Sequence, residues 1–356
     1  MNFKKQVNNL VDSTNQLSSQ DRDDGDEQIF YNPPADIAGS MPVYAPQAEI
    51  LDKLCFLHHP SSFAVDNNRM AVTWSTGVFS SEVSLGKYSS FEIPSTETRV
   101  SSPLRGIVKI VAHFPDSNLA EKGYTVHGSG VLIDEHTVAT AGHLVFRNRT
   151  HTVKVEVFVG CDRPETRETR DGCNIALHYG WWVSEARRCN DLAFIRLSEP
   201  FRETIPINYK QTPILKEDMP VIVYGFPYNM PSWDKGNRLC GSNALLQSMD
   251  SYRMGVLMHE GDTAKGNSGG PILNDDGHVV GLHSGWNYGT VASDSDDGSQ
   301  RTVVINEAIL INHLGNDFWA LRRVLECLSQ GKVEDCDVRV VGRLSSSGCW
   351  VFGWNS

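Results

Sequence analysis

Apolar residues in the middle of this chain come in short runs, each bounded by polar turn residues. The stretches 106–111, 130–133, 153–159, 191–197 and 221–226 are rich in Val, Ile and Leu. Runs of that length and composition predict buried β-strands. After 130–133, Asp134-Glu135-His136 turns the chain and Thr137-Val138-Ala139 returns. Ile272-Leu273, the cluster Asn274-Asp275-Asp276-Gly277 and Val279-Val280-Gly281-Leu282 read as strand, Asp-Gly turn and strand, a hairpin signal. The segment 315–329 departs from this, because Phe318, Leu321, Val324, Leu325 and Leu328 recur at helical spacing. The pattern therefore predicts an all-β unit in two halves, near 100–200 and 210–312, closed by a C-terminal helix. The ends read differently. Residues 1–30 are polar with an acidic run at 21–27, which predicts disorder. Pro33, Pro34, Pro42 and Pro46 suggest an extended linker. Residues 50–95 carry apolar stretches without strong period, and the last segment, with Trp350 and Trp354, receives no role.

Chemistry enters with Gly266-Asn267-Ser268-Gly269-Gly270-Pro271. This hexapeptide places a Ser on a glycine-rich turn, where the backbone N–H groups of Gly266 and Ser268 could hold an oxyanion. The Gly-x-Ser-x-Gly spacing also fits the nucleophile elbow of α/β-hydrolases. An elbow Ser is followed by a helix, however, and Gly269, Gly270 and Pro271 are poor in a helix interior. Upstream, His143 ends Thr140-Ala141-Gly142-His143 beyond an apolar strand, and Asp191 opens Asp191-Leu192-Ala193. The order His143, Asp191, Ser268 is that of the chymotrypsin-type triad, not of the hydrolase elbow.

With these three motifs the chain resembles trypsin-like serine proteases, and more closely their glutamyl endopeptidase branch. The resemblance covers about residues 95 to 320. It implies two antiparallel β-barrels of chymotrypsin type with the active site in the cleft between them. It divides the chain into a polar extension at 1–95, a possible prosegment, a protease domain at 96–320 and a helix end and tail at 321–356. It implies that Ser268 is the nucleophile, His143 the general base, Asp191 its orienting partner, and Gly266 and Ser268 the oxyanion hole.

The flanks of the hexapeptide bear on what enters the pocket. Thr263 lies before Ser268 and His283 after it, matching the hydroxyl residue and the His that bind a substrate carboxylate in glutamyl endopeptidases. A buried carboxylate needs donors, and a His supplies one when neutral and two when charged. Asp262 complicates this, because trypsin-like enzymes place the Asp that pairs with Lys or Arg there. Either Asp262 points away or pairs with His283 and the enzyme prefers Glu, or Asp262 is the pocket floor and the enzyme prefers basic residues. The joint presence of Thr263 and His283 favours the first. Asn267 stands where trypsin has the Asp of its activation ion pair, so that pair cannot form. A prosegment cut near residues 90–99 remains an expectation. A non-catalytic homologue that only binds proteins is the alternative from another class.

Composition adds limits. A net charge of −11 over 356 residues argues against bulk binding to nucleic acid or anionic membranes. It also confines any preference for acidic substrates to local contacts. No run of eighteen apolar residues suggests a membrane span. Protein or peptide substrates are expected, with no metal, no cofactor and a monomeric state. Of eight cysteines, Cys161/Cys173 and Cys327/Cys336 are spaced like small disulfide loops. The resemblance implies secretion. The lysines near Met1 are followed by no apolar core of a signal peptide, so an intracellular site stays open.

Overall fold

The computed structural model describes residues 90–115, 123–183, 185, 188–213, 219–228, 236–246, 256–292, 300–313, 315–330, 338–344 and 349–354. The disorder expected for the first thirty residues and the linker after them lie outside this set. The first half contains β1 (Ser90–Glu92), β2 (Ile107–Phe114), β3 (Tyr124–Leu132), β4 (Thr137–Ala141), β5 (Phe146–Arg147), β6 (Thr150–His151), β7 (Lys154–Val159), β8 (Glu168–His178), the short helix α1 (Tyr179–Val183) and β9 (Leu192–Leu197). The second half contains β10 (Met219–Gly225), β11 (Cys240–Leu246), β12 (Leu257–His259), β13 (Pro271–Leu273), β14 (Val279–Ala292) and β15 (Gln300–Leu310). Helix α2 (Phe318–Ser329) follows, then β16 (Val338–Leu344) and β17 (Cys349–Trp354).

Strands β8, β7, β2, β3, β4 and β9 pair in that order, and β9 pairs back to β8, so the sheet closes into an antiparallel barrel. Strands β11, β10, β13, β14, β15 and β12 close in the same way through β12 and β11. Closure leaves neither barrel with a bare edge among these strands. The two barrels and the helix are those expected from the sequence. Inward-facing Val, Ile and Leu fill both. Val108, Ile110, Val138, Val157 and Ile195 are fully buried in the first, and Val223, Leu246, Ile272 and Leu310 in the second. At about 25 cal/mol per Å² of apolar surface, each such side chain contributes roughly 1.5–3 kcal/mol of burial.

Each half also reaches across to the other. β1 precedes the first barrel in sequence but pairs antiparallel with β11 of the second, Phe91 opposite Gly241. The strap after it crosses back. The Ile93 N–H donates to the Leu239 carbonyl, and Thr98 Oγ1 donates to Asp162 Oδ2 at 3.0 Å on the first barrel. The Ser101 N–H then reaches the Glu203 carbonyl. From the other end, α2 follows the second barrel but packs on β8 and β9 of the first. Asp317 caps it, accepting from the Ala320 N–H at 2.9 Å, and Phe318, Leu321, Val324, Leu325 and Leu328 form its buried face. Phe318 meets Phe194 edge-on at 4.8 Å. The tail beyond α2, left without an element by the sequence pattern, forms the β16–β17 hairpin. β17 joins β8 in parallel, Val351 opposite Ile175.

The disulfide expected between Cys161 and Cys173 is not formed. Among the described residues, Cys161, Cys173, Cys189, Cys240 and Cys327 form no disulfide. The register explains the first pair. Glu156 lies opposite Asp171, so Cys173 sits near residue 154 while Cys161 lies past the far end of β7. At about 3.4 Å per residue they are on the order of 20 Å apart, well beyond the ~7 Å a bridge tolerates. Cys336, the partner expected for Cys327, lies outside the described residues.

Candidate active site

Pairing between β4 and β9 puts Ala141 opposite Leu192. His143, just past the end of β4, and Asp191, just before β9, therefore meet on one rim of the first barrel. A single 3-10 turn, Gly142–Leu144, carries the His. Gly142 is required by close approach: a Cβ there would lie 2.9 Å from Trp181 and 3.2 Å from Asp191 Oδ1. The Gly142 N–H donates to the Asp191 carbonyl, and the His143 N–H to Asp191 Oδ1 at 2.7 Å. His143 Nδ1 lies 2.7 Å from Asp191 Oδ2. A carboxylate only accepts, so Nδ1 carries the hydrogen, and in the neutral imidazole this leaves the lone pair on Nε2. Ser284 Oγ also donates to Asp191 Oδ2, at 2.6 Å. The Asp is thus held by three donors and is almost fully buried.

Ser268 comes from the second barrel, on the turn before β13. Its carbonyl accepts from the Ser129 N–H of β3, and on the other side the Gly269 N–H donates to the His283 carbonyl of β14. The turn is wedged between the barrels. Gly266 and Gly269 have φ of +107° and +78°. A Cβ on Gly269 would stand 2.1 Å from Thr140 Oγ1, so only glycine fits. Ser268 Oγ donates to the Ser284 carbonyl at 3.3 Å. Ser284 therefore touches both Ser268 and Asp191, and the three sequence-predicted residues are brought to one seam.

The residues expected at the pocket separate into two groups. His283 is completely buried and its Nδ1 is 3.0 Å from His259 Nε2. The Gly261 N–H donates to His259 Nδ1 at 3.2 Å. That bond makes His259 Nδ1 an acceptor, so His259 Nε2 carries a hydrogen and donates to His283 Nδ1. His283 Nε2 is left as an N–H donor, and it is buried without a partner. Burial pushes His259 down to about 3. Burial, then the neighbouring His259, His143 and Arg188, hold His283 well below its ordinary 6.5. Both imidazoles are neutral. Thr263 lies close by in the same network, its hydroxyl donating to Asn306 Oδ1 at 3.1 Å while Asn306 Nδ2 donates to the Gly261 carbonyl. Asp262 belongs elsewhere. Its N–H donates to Ser242 Oγ at 2.7 Å and its carboxylate accepts from Ser90 Oγ at 3.0 Å. The expected alternative of an Asp262–His283 pair is corrected: the partner of His283 is His259.

Sequence reasoning missed His259, Ser284 and Ser129. Ser284 follows His283 directly and was within reach. His259 has no local signal, because its contact with His283 exists only through the pairing of β12 and β14 with β15.

Residues 128–282 match the family model for a trypsin-like peptidase domain. A probable serine protease of Lysobacter enzymogenes is 30% identical over 133 residues, which are 36% of this chain. The match spans 18% of the length of that relative. Among solved structures, a Glu endopeptidase in complex with MPD is similar with a TM-score of 0.47 and 16% identity, over 69% of this chain and 98% of that one. An M. tuberculosis protease in its active form is similar with a TM-score of 0.38 and 18% identity, over 62% and 82% of the two chains.

Proposed function

We propose that this chain, whose residues 128–282 match the family model for a trypsin-like peptidase domain, is a serine endopeptidase that cuts after glutamate. Ser268 Oγ attacks the scissile carbonyl, and His143 Nε2 takes the proton and delivers it to the leaving amine. Asp191 fixes the tautomer and stabilises the imidazolium. The Gly266 and Ser268 amides receive the oxyanion. One observation carries the reaction class: the doubly bonded His143–Asp191 pair, tied through Ser284 to a Ser on a glycine turn.

The preference for glutamate rests on His283. A buried N–H whose direction is set by a second His is a donor already desolvated and oriented, and a substrate carboxylate would satisfy it. Being neutral, His283 binds the carboxylate by hydrogen bond, and the approaching charge favours its protonation. Asp262 speaks against the basic alternative, since its carboxylate is engaged by Ser90. A prosegment cut fits best before Ser90, because a cut within 93–99 would detach β1 from the strap that Thr98 anchors.

Two measurements test the reading. A fluorophosphonate should label Ser268, and absence of an adduct on both full-length and processed protein would make the chain a non-catalytic homologue. Cleavage-site mapping on an unbiased peptide mixture should show cuts after Glu. His283→Leu should lower kcat/KM after Glu by about 100-fold, the loss expected for removing a hydrogen bond to a charged group, while Ser268 still labels. Cuts mainly after Lys or Arg would remove His283 from the pocket.

A further inference from the structure

The loop that carries Gly266 and Ser268 is a succession of peptide planes, and each plane is tied. A trans peptide points its C=O and N–H in opposite directions, so holding one fixes the other. Among the described residues no peptide is cis. The Lys265 carbonyl accepts from the Tyr228 N–H at 2.8 Å, which sets the direction of the Gly266 N–H. The Asn267 carbonyl accepts from the Gly270 N–H at 2.8 Å, which sets the direction of the Ser268 N–H. Between them lies the Gly266–Asn267 plane. Its N–H donates to the Ala264 carbonyl at 3.0 Å, and its carbonyl accepts from Ser129 Oγ at 2.6 Å.

Every one of these ties is made by backbone except the last. Ser129 sits in β3 of the opposite barrel and is fully buried. All its polar groups are engaged. The hydroxyl donates to the Gly266 carbonyl and accepts from the Phe226 N–H at 2.8 Å. Its own N–H donates to the Ser268 carbonyl, and its carbonyl accepts from Thr140 Oγ1 at 2.7 Å. Gly266, at φ +107°, has the rotational freedom to shift if the tie is lost, leaving the plane to the bond from the Asn267 N–H to the Ala264 carbonyl.

On the serine-endopeptidase reading, we infer that Ser129 is a positioning residue of the oxyanion loop: its hydroxyl supplies the side-chain tie on the Gly266–Asn267 peptide, the plane that joins the two oxyanion amides, and works together with the Asn267 N–H bond to Ala264. It touches neither substrate nor reacting atoms. Removing the hydroxyl leaves the Gly266 carbonyl and the Phe226 N–H buried without this partner, and the least strained relief is rotation of the Gly266 peptide. Such a rotation spoils transition-state binding more than ground-state binding, so it appears in kcat rather than KM.

The test uses the full-length chain with Ser129→Ala and the near-isosteric Ser129→Cys, whose thiol is a weak donor and acceptor. The readouts are the second-order rate of fluorophosphonate labelling at Ser268 and kcat and KM on a fluorogenic peptide cleaved after Glu. Ser129→Ala should lower both the labelling rate and kcat by about 10- to 100-fold, below the full loss of an oxyanion donor, with KM within about threefold. Ser129→Cys should fall between. An unchanged labelling rate and kcat in a folded variant, or a loss confined to KM, overturns the inference. Should the Ala variant fail to fold, the Cys variant decides by the same criteria. Wild-type protein that does not label sinks the peptidase reading, and this inference with it; wild-type that labels beside an unaffected variant sinks only the role of Ser129.

Discussion

Asp262 and Asp191 are both buried carboxylates that accept from a serine hydroxyl, yet only one belongs to the chemistry. Asp191 also holds an imidazole. Asp262 is turned to the start of β1, where Ser90 meets it. That orientation makes a prediction opposite to the trypsin-like reading. Asp262→Asn keeps an acceptor for Ser90 and removes the charge, so preference for Glu should persist and cleavage after Lys or Arg should stay low. Peptide-mixture mapping on the variant checks this, and a loss of basic-site cleavage with a gain elsewhere would return Asp262 to the pocket. At this scale the sequence was informative where function is local. His143, Asp191 and Ser268 each sit in a contiguous motif whose turn or strand can be recognised. His259 was hidden because nothing near it in the chain says which residue will face it.

Helix α2 shows the same contrast among elements. Its apolar spacing and its Asp cap lie within one short segment, and the helix forms where that pattern places it. Asp317→Ala removes the acceptor for the Ala320 N–H and should cost about 1 kcal/mol of stability. A denaturant titration should show a lower midpoint with an unchanged slope, and peptidase kinetics should not move, since α2 packs on β8 and β9 away from the Ser268 turn. Strands β2, β4, β7, β9 and β10 were similarly legible from their apolar runs. β8 was not. Its first half, Glu168-Thr169-Arg170-Asp171, alternates toward solvent and pairs with β7, while its second half turns to β9. Such a strand is specified by the barrel that needs closing rather than by its own composition. The hairpin β16–β17 is illegible for a related reason: its place depends on the free side of β8.

Across the whole molecule the buried imidazole pair makes stability depend on pH. In the unfolded chain His259 and His283 return to an ordinary 6.5, while in the fold His259 stays neutral down to about 3 and His283 is likewise depressed. As pH falls below about 6.5 the unfolded chain takes up protons that the fold excludes. Stability is therefore complete above that value and is lost on acidification, by up to about 1.4 kcal/mol per pH unit for each His. Thermal melts between pH 8 and 4 should show this decline, and His259→Gln should make it shallower; parallel curves for the two proteins would mean that the pair titrates freely. The crossing segments set how the chain as a whole comes apart. The first half lends β1 to the second barrel, and the second half lends α2 and β17 to the first. This is the arm exchange of a domain-swapped dimer, written into one polypeptide. Severed between β9 and β10, the chain would behave as a heterodimer in which neither partner carries all of its own surface, so each half would need the other to finish folding.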